Sequence, residues 1–267
     1  MANEPLLIAV DLDGTLLTAE KNILPRTKKA LQEAMRQGHR VVISTGRPYR
    51  ASKAYYDALQ LDTPIVNFNG ALVHHPQDKR WGVFHSPLDL DIAQNVIRTS
   101  EAFGVQNILI EVLDDVYLKE HDQVLMQTFF DPPVDVRQLP RVLHTSPTSI
   151  LIHPYAHTAR ALRRCLAENH AEVIEHRKWR PPWNVIEIVR SGLNKAVGLE
   201  RICRHYGIPA KNVLAFGDED NDLEMIRFAG TGVAMGNAID ALKETADEIT
   251  LSNEEDGIAH FLEKHVL

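Results

Sequence analysis

Apolar residues in this chain fall into runs of two kinds. Short ones with little polar alternation predict strands buried on both faces: Leu6-Leu7-Ile8-Ala9-Val10, Val41-Val42-Ile43, Pro64-Ile65-Val66-Asn67-Phe68, Val213-Leu214-Ala215-Phe216 and Gly232-Val233-Ala234-Met235. Between them lie stretches with a helical stripe. Pro25 to Gln37 carries Ala30, Leu31, Ala34 and Met35 on one face, with Pro25 near its start and Gly38 just past its end. Further helices are expected around Arg50 to Leu59, from Lys195 to Tyr206 and from Asp222, with a last short strand at Ile249-Thr250-Leu251. The βαβαβ alternation, resumed near the carboxyl end, calls for an α/β fold, a doubly wound Rossmann-like parallel sheet with helices on both faces.

Between roughly 83 and 186 the texture changes. Ile108-Leu109-Ile110 and Val116-Tyr117-Leu118 flank Asp114-Asp115 as a hairpin, segments near 89–103 and 157–169 read as helices, and Ile150-Leu151-Ile152 and Val185-Ile186-Glu187-Ile188 read as strands. Asp131-Pro132-Pro133 and Gln138 to Ser146 are expected loops. The expected organisation is a core of residues 1–82 and 187–267 interrupted by an α+β insert at 83–186.

Composition narrows the class. With 267 residues, 44% apolar and 24% charged, the chain has the make-up of a soluble globular protein. No run of eighteen apolar residues occurs and Met-Ala-Asn-Glu-Pro lacks a signal-peptide pattern, so the expected location is cytoplasmic, with no membrane partner. A formal charge of −7 argues against a nucleic-acid surface. Any anionic substrate must then be attracted locally, by a metal or by individual cations. Cys165 and Cys203 fall in expected helices without metal-binding spacing and read as buried thiols. The thirteen histidines, scattered without ligand spacing, read as surface residues. None of these patterns fixes an oligomeric state.

Chemistry concentrates at strand ends. Asp11-Leu12-Asp13-Gly14-Thr15 follows the first strand directly, so two carboxylates leave its carboxyl end, where open α/β sheets place their ligands. Two like charges that close are costly unless a cation or shared proton relieves them, and a divalent ion suits carboxylate oxygens. A second acidic cluster, Gly217-Asp218-Glu219-Asp220-Asn221-Asp222, follows another strand and is able to converge on the same metal, although by itself it also suits a helix start. Ser44-Thr45-Gly46-Arg47 ends the second strand with a hydroxyl and glycine-freed N–H groups, a small anion cradle or a helix cap. Lys195 stands in the first turn of its helix, against the macrodipole, which suggests a compensating negative group: a bound phosphate or the Asp11 carboxylate.

Asp-x-Asp-Gly-Thr, hydrophobic-Ser-Thr-Gly-Arg, Lys195 and Gly-Asp-x-x-Asn-Asp, in this order over the whole chain, resemble the haloacid dehalogenase superfamily of phosphohydrolases. The large insert, with Asn69-Gly70-Ala71 and Glu254-Glu255-Asp256-Gly257, is similar to the Cof-type branch, whose type IIB cap is inserted there. The resemblance implies a Mg²⁺-dependent phosphatase of a small phosphorylated metabolite, a sugar phosphate or a cofactor-like phosphate. It implies that Asp11 is the nucleophile, giving an aspartyl-phosphate, and that Asp13 is the general acid and base. It further implies metal ligation by Asp11, the backbone carbonyl of Asp13 and Asp218, with Asp222 orienting the site from behind. Thr45, the N–H groups of Leu12 and Gly46, Lys195 and Asn221 would hold the phosphoryl oxygens. Selection of the rest of the substrate falls to the cap, with Arg47, Glu111, Tyr117, His153, Arg177, Trp179 and Trp183 as candidates. A sugar phosphomutase shares the aspartyl-phosphate step, and a receiver-like phospho-Asp switch shares the acidic pair, Thr and Lys.

Overall fold

The computed structural model describes residues 4–122, 135–170, 174–178 and 185–267. The chain opens with β1 (Leu7–Val10), α1 (Pro25–Arg36), β2 (Arg40–Ile43), α2 (Lys53–Leu59), β3 (Ile65–Asn67), β4 (Leu72–His74) and β5 (Val83–His85). It continues through α3 (Leu90–Ala102), β6 (Asn107–Val112), β7 (Asp115–Leu118), β8 (Val136–Gln138), β9 (Ser149–His153), α4 (Ala159–His170), β10 (Ile174–Lys178) and β11 (Ile186–Arg190). It closes with α5 (Lys195–Tyr206), β12 (Val213–Gly217), α6 (Leu223–Phe228), β13 (Thr231–Ala234), α7 (Asp240–Thr245), β14 (Glu248–Ile249) and α8 (Gly257–His265). Two compact units result: Met1–Arg47, Ser52–Phe84 and Asn194–Leu267 form one, Pro48–Ala51 and His85–Leu193 the other.

The first unit is a parallel sheet in the order β14-β13-β12-β1-β2. Its strand β1, flanked by β12 and β2, has no polar alternation because both faces are covered. Leu7 and Ala9 share a buried cluster with Leu199 and Ile202 of α5, Met225 and Ile226 of α6 and Leu242 of α7. Ile8 and Val10, pointing the other way, are equally buried, and α1 lies against α8. β1 sits where strand order reverses, with β2 on one side and β12 on the other. The register pairs Val10 with both Ile43 and Phe216, so Asp11, Ser44 and Gly217 leave three adjacent strands at one level. That level is the crevice at which doubly wound sheets bind ligands. A parallel bridge from Ser44 to Val66 carries β3 on beside β2, and β3-β4-β5 make a small sheet of their own.

The second unit is a sheet in the order β10-β11-β9-β6-β7-β8, antiparallel except for the parallel pair β7 and β8. Here alternation matters. Ile108, Ile110, Ile150, Ile152, Ile186 and Ile188 face Ala93 and Val96 of α3 and Leu162 and Leu166 of α4. Leu109, Val116, Leu118, Leu151 and Val185 make a smaller cluster on the opposite face.

Two expectations need correction. The core was expected to resume at 187, but β11 pairs with β9 and β10 and so belongs to the insert's sheet; the first unit resumes at Asn194. Gln138, expected in a loop, ends β8 beside Leu118. Asp131-Pro132-Pro133 lies outside the described residues. Among the described residues, no helix is long and apolar enough to cross a membrane. His39, read as a surface residue, is buried, its Nδ1 accepting the Leu6 N–H at 3.0 Å.

Candidate active site

After β1 the chain turns within a few residues, with Leu12 O accepting the N–H groups of Thr15 and Leu17. Gly14 takes φ +77°, and a Cβ there would come within 2.2 Å of Asp218 Oδ2, so this turn and the acidic loop after β12 share one space that only glycine leaves open. Thr15 Oγ1 donates to Asp218 Oδ1 at 3.0 Å, a second tie between the loops.

Lys195 resolves the conflict with the helix dipole that its position posed. Asn194 caps α5, its Oδ1 accepting the Val197 N–H, and the fully buried Lys195 ammonium reaches Asp11 Oδ1 at 2.7 Å and Asp222 Oδ1 at 2.6 Å. Burial opposes its charge, but the two carboxylates overcome this and hold the ammonium's pKa above its usual range. Asp222 has its other oxygen committed as well: Oδ2 accepts the N–H groups of Asp218 and Glu219 at 3.0 and 3.1 Å. Asp222 therefore shapes the acidic loop and aims Lys195.

Asp11 is in a different position. Burial is the largest influence and, together with the charges of Asp222 and Asp218, outweighs the lowering charge of Lys195, so the carboxyl is held above the usual carboxylate range. Asp11, Asp218 and Asp222 offer carboxylate oxygens within 4.8 Å of one another, all buried. With Asp222 engaged elsewhere, Asp11 and Asp218 are the pair placed to share a cation. The donor set is hard oxygen at the mouth of a parallel sheet, which fits Mg²⁺.

Asp13 has partners of its own. Arg47 forks onto it, Nε to Oδ2 at 2.6 Å and Nη2 to Oδ1 at 2.5 Å, and Lys21 Nζ reaches Oδ1 at 2.6 Å. Burial pushes the carboxyl up, yet the bonds and charges of Arg47 and Lys21 prevail and bring it down to about 2. The Arg47 guanidinium also lies 5.5 Å from the Tyr55 ring centroid. Asp13's carboxylate is thus engaged with cations of the chain itself.

The loop after β2 leaves the sheet at the same level. Thr45 N–H donates to Val66 O at 2.9 Å, and Thr45 Oγ1 accepts the Arg47 N–H at 3.1 Å, so the hydroxyl shapes its own loop and does not cap α2. Among the described residues, the N–H groups of Leu12 and Gly46 have no protein acceptor, as an anion site requires. Asn221 lies across from them, its Nδ2 donating to Asn69 Oδ1 at 2.9 Å.

The specificity candidates scatter. Arg47 belongs to the Asp13 grip. In the second unit, buried Glu111 accepts from Arg50 and, at 2.7 Å, from Ser149 Oγ, so it serves that unit's own framework. Tyr117 OH accepts from Arg137 at 3.4 Å, and the His153 ring lies 3.4 Å from the Gln106 amide. Arg177 is a backbone position on β10; Trp179 and Trp183 lie outside the described residues. Sequence reasoning missed Lys21 and gave Asn69 no role. Their signal, a non-glycine residue at positive φ (62° and 52°), exists only in the backbone.

This constellation defines a class. The chain matches the haloacid dehalogenase-like hydrolase family over residues 8–262 and belongs to it. Its relatives identify it as a phosphoric monoester hydrolase. It is 52% identical, over 99% of both chains, to the 5-amino-6-(5-phospho-D-ribitylamino)uracil phosphatase YitU of Bacillus subtilis. It is 31% identical, over 98% of both chains, to the pyridoxal phosphate phosphatase YbhA of Escherichia coli. In fold it matches a subclass IIB sugar phosphatase with a TM-score of 0.82 at 23% identity, over 97% of this chain and 98% of the other.

Proposed function

We propose that the protein is a Mg²⁺-dependent phosphatase that hydrolyses 5-amino-6-(5-phospho-D-ribitylamino)uracil to the free ribityl alcohol and phosphate. The buried set of Asp11, Asp218, Asp222 and Lys195 carries the reading of the reaction, and the 52% identity to YitU over almost the whole chain supports that of the substrate. When bound, Mg²⁺ would be held by Asp11, the Asp13 carbonyl and Asp218, and would supply charge that offsets repulsion between nucleophile and phosphate.

On this reading Asp11 attacks phosphorus, the bond from phosphorus to the ribityl oxygen breaks, and an aspartyl-phosphate forms. Asp13, a carboxylate in the grip of Arg47 and Lys21, must first take up a proton from solvent, which it then gives to the departing ribityl oxygen. In the second half, Asp13 takes a proton from water as its oxygen joins phosphorus, the bond to Asp11 breaks, and phosphate leaves. Lys195, Thr45, Asn221 and the N–H groups of Leu12 and Gly46 surround the phosphoryl oxygens. Asp13, gripped as a carboxylate by Arg47 and Lys21, stands in the proton-accepting state that the second half requires. The inserted unit selects the organic part of the ester, and we place the reaction in the cytoplasm.

The test is phosphate release from an aryl phosphate and from the ribitylaminouracil phosphate, by wild type and Asp11→Asn, each with Mg²⁺ and with chelator. The amide is a far weaker nucleophile, so the variant should lose at least about 1000-fold in kcat while folding normally. Wild-type turnover in Asp11→Asn would reject the mechanism; preference for another phosphate ester would reject the substrate. Transfer of the phosphoryl group to a sugar, with little net release, would favour a phosphomutase.

A further inference from the structure

At the carboxyl end of β3, three successive residues, Phe68, Asn69 and Gly70, take φ values of 48°, 52° and 97°. Glycine accepts this without steric cost, but for the other two the left-handed region costs about 1–2 kcal/mol each. Such strain persists only where surrounding contacts hold it, and here the contacts are specific. Asn69 is 4% exposed. Its N–H donates to Thr45 O at 3.0 Å, and its Oδ1 accepts Asn221 Nδ2 at 2.9 Å. Its own Nδ2 lies so near Gly46 that a Cβ there would come within 2.9 Å of it. Through its backbone N–H and its side chain, Asn69 thus joins the loop after β2 to the loop after β12, the two that flank the nucleophile strand.

An amide nitrogen has two hydrogens. With one hydrogen of Asn221 Nδ2 committed to Asn69, the direction of the other is fixed. Because Asn69 presents an oxygen, Asn221 must present its nitrogen. We propose that Asn69 is a positioning residue for phosphoryl transfer: it locks the Asn221 amide with a donor turned to the phosphoryl oxygens and sets its spacing from the Thr45–Gly46 cradle. This rests on the phosphoryl role assigned to Asn221 above. A donor aligned beforehand acts on charge that develops in the transition state, so its loss falls on kcat more than on KM.

The experiment measures kcat and KM for aryl phosphate hydrolysis with Mg²⁺ in wild type, Asn221→Ala, Asn69→Gly and the double variant, each with its thermal unfolding curve. Glycine at 69 removes the side chain yet accepts the left-handed backbone, so the fold is retained. Each single variant should lose about 10- to 100-fold in kcat with KM moving less than about threefold. The double variant should be no worse than Asn221→Ala, within about threefold, because Asn69 acts through Asn221. Wild-type kcat in Asn69→Gly overturns the proposal, as does a double variant whose loss is the product of the single losses. Wild-type kcat in Asn221→Ala would reject the phosphoryl role of Asn221, and with it the ground for a positioning residue.

Discussion

Asp13 is gripped by two cations of different kinds. Arg47 supplies a planar fork with two parallel bonds, and Lys21 a single charge from a half-exposed loop. The fork fixes where the carboxylate points; the lysine mainly adds field. Arg47→Lys should therefore lower kcat about tenfold although charge is preserved, whereas Lys21→Met should cost only about threefold, as steady-state kinetics on an aryl phosphate would show. Asp222 sits deeper. Its two oxygens accept from Lys195 and from two backbone N–H groups, so Asp222→Asn must turn an NH₂ group toward one of those donors. Breaking a buried pair in this way costs about 3–5 kcal/mol, a loss that denaturant unfolding at neutral pH should detect. Asp11, Thr45 and Asp218 were legible because each follows a strand, and Lys195 because it stands against a helix dipole. The partners of Asp13 were not, since nothing in the spacing from Asp13 to Lys21 or Arg47 says that these side chains meet.

At the scale of elements, α5 shows where local preference and packing disagree. Gly198 lies inside the helix, where alanine is favoured by about 1 kcal/mol. A Cβ at 198 would lie 2.5 Å from Val66 Cγ1, because α5 packs on β3 at that glycine. Gly198→Ala should thus destabilise by about 1–3 kcal/mol, reversing the sign that propensity gives, and should also lower kcat, because α5 carries Lys195 at its first turn. Thermal unfolding together with the rate on an aryl phosphate checks both. The long apolar strands and amphipathic helices were readable from periodicity, α5 over Lys195 to Tyr206 among them. β4, β5 and β8 were not: each has three residues, too few for a period to show. β10, Ile-Glu-His-Arg-Lys, carries charge at most positions and shows no strand pattern by itself; its pairing with β11 defines it.

For the whole molecule, the acidic pair Asp11 and Asp218 links metal binding to stability. A cation that binds only the folded state should raise the unfolding free energy by about 2.7 kcal/mol at a hundred times its dissociation constant. The melting temperature should then rise with added Mg²⁺ and fall back with chelator, in parallel with activity. Ca²⁺ should also stabilise yet inhibit, because its larger and looser shell misplaces the attacking and leaving groups. Equal turnover with Ca²⁺ would count against the metal role given to these aspartates. By itself, the sequence determined the α/β class and the strand ends and helix start at which carboxylates, hydroxyl and lysine stand, because periodicity and position beside an element are local properties. Only the tertiary structure decided that β1 lies between β2 and β12 in a register that levels Asp11, Ser44 and Gly217. It joined Lys195 to Asp11, a partner that the helix position had already suggested, and to Asp222, gave Arg47 and Lys21 to Asp13, and made Asn69 the tie between two loops. Such pairings depend on distances between residues far apart along the chain, 184 positions for Lys195 and Asp11, which a fold fixes and a chain does not.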